Sequence, residues 1–78
     1  MLSGDEILKE LAFAIEESGL NLDSTMDNTE NWDSLGQLSI FATLAKLTNG
    51  ATDKIPGIAT ATTMRGIFAE LKDHGLIE

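Results

Sequence analysis

The sequence predicts an all-α fold, a bundle of three main helices plus one short helix. Three observations predict it. Ser3-x-x-Glu6 is a capping box, and Asp33 stands directly before a long apolar run, so two helix starts are marked locally. Apolar residues recur at spacings of three and four in three separate segments. The chain has 78 residues, one proline and no cysteine. A core this small needs reinforcement, and without disulfides or thiolate-held metals regular helix packing is the remaining source.

The first helix is expected from about Gly4 to Ser18. Ile7, Leu8, Leu11, Ala14 and Ile15 form its buried stripe, and Glu6, Lys9, Glu10, Glu16 and Glu17 fill the opposite face. Gly19 is the expected left-handed cap. Residues 20 to 32 read as a long loop. Asp23, Asp27, Asn28 and Asn31 supply turn chemistry there, and Leu20, Leu22 and Met26 are expected to fold back on the core.

The second helix is expected from about Ser34 to Thr48, ended by Asn49-Gly50, which both tolerate positive φ. Leu35, Leu38, Ala42 and Ala45 share one face, and Ile40, Phe41, Leu44 and Leu47 share the adjoining one. So wide an apolar sector suits a helix that is central in a bundle and also shows apolar surface to a partner. Ala51 to Gly57 reads as a connection and Ile58 to Ala61 as one short helical turn. The last helix starts near Thr62 or Thr63, buries Met64, Ile67, Phe68 and Leu71, and stops at Gly75. Leu76 and Ile77 are expected to pack back on the bundle. Residues 1–78 read as a single domain.

Thirteen acids against five bases give a formal net charge of −8. Such a field repels nucleic acid and anionic membranes, favours basic docking surfaces, and keeps a small protein monomeric. The start Met1-Leu2-Ser3-Gly4-Asp5-Glu6 has acids where a signal peptide has bases, and no apolar run approaches transmembrane length. A cytoplasmic location is expected, and a domain-sized chain that begins with Met suits a free-standing protein.

Asp33-Ser34-Leu35 is the candidate site. An Asp33 N-cap places Ser34 at the first helical position, beside unpaired backbone N–H groups and the positive end of the helix dipole. A phosphodiester on that serine would lie against those groups. Trp32 reads as a hydrophobic staple at the helix start. A hydrolytic triad of Ser34, His74 and an acid is disfavoured, because the single histidine lies in the last turn of a terminal helix. A calcium loop starting at Asp23 fails at its sixth and twelfth positions, Asn28 and Ser34. No metal site is expected.

Asp33-Ser34-Leu35, the Ile55-Pro56 pair, Thr62-Thr63-Met64-Arg65-Gly66-Ile67, the domain length and the acidity together resemble the acyl carrier and peptidyl carrier protein family. The resemblance covers nearly the whole chain. It implies a non-catalytic carrier, with a 4′-phosphopantetheine arm attached to Ser34 by a separate phosphopantetheinyl transferase. Asp33 would help present the serine, Leu35 would sit beside the arm, and Leu35, Leu38 and Phe41 would form the docking surface. The implied partners are that transferase and the enzymes that load and process an acyl or aminoacyl cargo.

Departures from the family pattern point to a specialised carrier rather than the housekeeping fatty-acid type. Residues 34 to 48 contain no acid, Lys46 is their only charge, and Gly36 stands where an acid is often found. The expected function is to hold an acyl intermediate as a thioester and pass it between enzymes of a specialised pathway. An aminoacyl or D-alanyl-type carrier is the alternative within the family, and an unmodified helical adaptor is the alternative outside it. Large residues at Phe41, Met64 and Phe68 are expected to fill any space left by Ala42, Ala45 and Ala61, so a short or polar cargo outside the core is expected.

Overall fold

Each helix begins where a side chain can take the free N–H groups of its first turn, or where proline removes one. Ser3 Oγ accepts the Glu6 N–H at 3.2 Å and opens α1, Gly4–Ala14. Asp33 Oδ1 accepts the Gly36 N–H at 2.9 Å and opens α2, Ser34–Leu47. Pro56 takes the first position of the short α3, Pro56–Thr60, where its missing N–H costs nothing. Thr63 Oγ1 accepts the Gly66 N–H at 3.0 Å and opens α4, Met64–Asp73. The computed structural model describes residues 2–77 and is all-α, with a 3-10 turn at Ala51–Lys54 and no β-strand among those residues.

The three longer helices end in the same way. After α1, Glu17 N–H reaches the Ala12 carbonyl at 2.9 Å, with Glu16 at φ 57°. After α2, Gly50 N–H reaches Ala45 at 2.7 Å, with Asn49 at φ 55°. After α4, Leu76 N–H reaches Leu71 at 2.9 Å, with Gly75 at φ 69°. Each is a Schellman ending, in which one left-handed residue lets the chain turn back and satisfy the last free carbonyls.

Two expectations are corrected here. α1 stops at Ala14, not Ser18, and its left-handed residue is Glu16 rather than Gly19. The cause is tertiary. Asn31 donates its Nδ2 to the Glu16 carbonyl at 3.3 Å, and its N–H to the Glu17 carboxylate at 3.0 Å, which fixes the turn from 15 residues away. The segment expected to be a plain connection contains the 3-10 turn, and α3 begins at Pro56, two residues before its expected start at Ile58.

The core runs through the middle of all four helices. Ile7, Leu11, Ile40, Leu44, Ile58, Met64, Ile67 and Leu71 are fully buried, joined by Trp32 from the loop and Ile55 before α3. Ile77 is buried too, and pairs with Leu2 in an isolated parallel bridge. Thr52 is polar and fully buried. Its N–H reaches Thr48 Oγ1 at 3.3 Å, and Thr48 in turn donates to the Leu44 carbonyl at 2.7 Å. Among the described residues, every buried side-chain nitrogen and oxygen has a hydrogen-bond partner. No helix among them is long and apolar enough to cross a membrane.

The long loop is held by its own polar side chains. Asn28 Oδ1 accepts from Thr25 N–H and Thr29 Oγ1, both at 2.8 Å, and its Nδ2 donates to the Asp23 carbonyl at 3.1 Å. The loop is then tied to the start of α4 by two crossing backbone bonds, Met26 N–H to Thr62 and Met64 N–H to Ser24. Leu20 is buried and Met26 packs on the core, as expected, but Leu22 remains exposed. Local hydrogen bonding carries the chain past Leu22 without turning it inward.

Candidate functional site at the start of the second helix

Asp33 has extended backbone angles, and its carbonyl accepts the first helical bond, from Gln37 N–H at 2.8 Å. Its carboxylate takes the Gly36 N–H. The N–H groups of Ser34 and Leu35 have no partner within a helix, and make no hydrogen bond among the described residues. Ser34 is exposed and occupies the first helical position. An exposed hydroxyl beside free amide donors and a positive helix end is suited to carry an anionic group.

The apolar surface next to Ser34 is uneven. Leu35 is 75% exposed and Leu38 is 65% exposed, high values for large aliphatic side chains. Phe41 is half-buried and packs against the core, so it offers part of one face only. Ala42 is exposed rather than turned toward the later segments, and Ala45 and Ala61 are half-buried. Ile40 and Leu44 face the core as expected. α2 therefore separates its two apolar faces, one into the bundle and one outward.

Two residues of the site carry roles that the motif reading leaves out. Gly36 is buried, and a Cβ built on it would collide with the backbone carbonyl of Asn31. Any side chain at that position, acidic or not, lacks room. Gln37 forms a hydrogen-bonded bridge. Its Oε1 accepts the Trp32 indole N–H at 2.6 Å, and its Nε2 donates to the carbonyls of Ala61 and Ala59 at 3.0 and 3.2 Å. Trp32 does stand at the staple position and is buried, but its partner across the first turn is this amide rather than an apolar residue. The available signal was the single amide side chain within the otherwise apolar start of α2.

His74 caps α4, with Nδ1 2.9 Å from the Glu70 carbonyl oxygen, and belongs to the end of that helix. Phe13 is 84% exposed on α1. At 100° per residue it falls opposite Ile7 and Leu11, so the helical wheel alone marks it as outward. No protein-family profile, curated protein or solved structure matches this chain.

Proposed function

We propose that this protein is a carrier that holds an acyl intermediate on a 4′-phosphopantetheine arm at Ser34 and moves it between enzymes of a specialised pathway. The observation that carries this reading is the exposed serine at the first position of an Asp33-capped helix, flanked by the outward Leu35 and Leu38. The residues fit the group. The open N–H groups of Ser34 and Leu35 can face the phosphodiester, and the exposed aliphatic pair can face the arm's first apolar stretch.

Attachment is the work of a separate transferase. Ser34 Oγ forms a new P–O bond to the pyrophosphate of coenzyme A, the P–O–P linkage breaks, the adenosine bisphosphate portion leaves, and the hydroxyl proton passes to the transferase's base. The attached arm supplies a thiol that holds the cargo as a thioester. Tethering raises the cargo's effective concentration at each partner's active site. The carrier performs no catalytic step of its own. A cytoplasmic, monomeric state belongs to this reading.

The exposure of Leu35 and Leu38 also favours a second reading, an unmodified adaptor that binds a partner through the outer face of α2. An aminoacyl or D-alanyl cargo remains the alternative within the carrier reading. Intact mass of the protein isolated from its native host separates the three. A carrier shows the arm, and a fraction shows arm plus acyl or aminoacyl cargo. An adaptor shows the bare chain only.

A further inference from the structure

The side-chain amide of Gln37 joins three segments. Trp32 belongs to the loop, two residues before Ser34. Gln37 lies three residues after Ser34, on the neighbouring surface of α2. Ala59 and Ala61 lie at the end of α3. The amide's orientation is forced, because an indole N–H can only donate and a backbone carbonyl can only accept. Glutamine meets both demands at once, whereas glutamate has no donor at neutral pH and an aliphatic residue has neither group.

α3 depends on outside support. It has five residues and no side-chain cap bond at its start. A helix that short does not hold itself together in water. It buries Ile58 but leaves Pro56, Ala59 and Thr60 exposed, and it packs chiefly on α4. Among the described residues, the hydrogen bonds between α2 and residues 56–61 are the two that Gln37 donates. They also satisfy carbonyls that a helix end leaves without partners.

We propose that Gln37 is a positioning residue for Ser34. It locks α3 and the Trp32 end of the loop onto the first turns of α2, so that an enzyme approaching Ser34 meets the three segments as one preformed surface. Its functional part rests on the carrier reading, whereas its structural part does not. A preformed surface spares an enzyme the cost of ordering α3 on binding. Loss of the lock therefore weakens capture of the carrier more than the chemical step at Ser34.

Two variants test this. Gln37→Glu keeps an oxygen for the Trp32 indole and removes both donors to α3. Gln37→Met has similar length and removes every polar contact. Amide hydrogen exchange is followed at Ile58 and Ala61, whose N–H groups close the turns of α3, and in α1 and α4 as references. Protection at Ile58 and Ala61 should fall about tenfold or more in both variants, with α1 and α4 changed far less. The KM of a phosphopantetheinyl transferase for the carrier should rise about fivefold or more, with kcat within about twofold. Unchanged exchange in α3, or an equal loss throughout the bundle, would overturn the lock. A fall in kcat at constant KM would overturn the positioning role. If the wild-type protein accepts no arm, the positioning role falls with the carrier reading, and the exchange data still decide separately whether Gln37 holds α3.

Discussion

The backbone carbonyl of Asn31 occupies the space that a Cβ on Gly36 would need. The loop thus presses directly on the first turn of α2, two residues beyond Ser34. The obstacle is backbone, held by the Asn31 bonds to the end of α1, so it cannot swing aside as a flexible side chain would. In an open helix, Gly→Ala stabilises by about 1 kcal/mol. Here overpacking should win, and Gly36→Ala should lower stability by about 1–3 kcal/mol. Urea unfolding reads this as a lower midpoint at unchanged slope. A raised midpoint would show that the loop yields at Asn31.

Glu16 adopts a left-handed conformation that a side chain disfavours by about 1–2 kcal/mol. Glycine has no such penalty, though it adds flexibility to the unfolded chain. Glu16→Gly should therefore be more stable than Glu16→Ala by about 1 kcal/mol in thermal or urea unfolding. Equal stability of the two variants would mean that the Schellman ending of α1 is not strained at Glu16.

Asp33 and Ser34 should separate structure from modification. Asp33→Ala removes the bond to the Gly36 N–H and should destabilise by about 1 kcal/mol. Ser34→Ala removes only an exposed hydroxyl and should stay within about 0.5 kcal/mol of wild type. Parallel unfolding curves check both. A large loss for Ser34→Ala would assign the hydroxyl a structural role.

Docking near Ser34 should depend on apolar contact rather than on long-range charge. α2 has Lys46 as its only charged residue, and Leu35 and Leu38 project outward beside the serine. Leu38→Ser should raise a transferase's KM for the carrier several-fold. Added salt should have a modest effect, since screening acts mainly on exposed charges separated by about 8–10 Å or more. Collapse of binding on modest salt addition would move the docking surface to the acids of α1 and the loop.

The parts of this fold governed by nearby residues were legible in the sequence. Ser3, Asp33 and Thr63 cap the helices they precede, and Asn49, Gly50 and Gly75 turn the chain as their chemistry suggests. Spacing also groups Leu35 with Leu38 and Ile40 with Leu44 on separate faces of α2, but both faces are apolar, so which one turns outward was not legible, and Ala42 is exposed against expectation. What distance in sequence conceals is the end of α1, which Asn31 fixes from the far side of the loop, and the exposure of Leu22, where polar turn bonds prevail over a leucine's tendency to be buried. At the site, Ser34 and Asp33 were legible because capping is local. The roles of Gly36 and Gln37 were not, because one depends on a carbonyl five residues back and the other on carbonyls more than 20 residues ahead.

The central claim is covalent attachment at Ser34. Purified protein incubated with a broad-specificity phosphopantetheinyl transferase, magnesium and coenzyme A should gain the mass of a single arm, located on Ser34 by fragmentation. Ser34→Ala, folded as judged by its unfolding curve, should gain none. Absence of any mass gain in the wild-type protein with several transferases, or a gain that persists in Ser34→Ala, would contradict the carrier account.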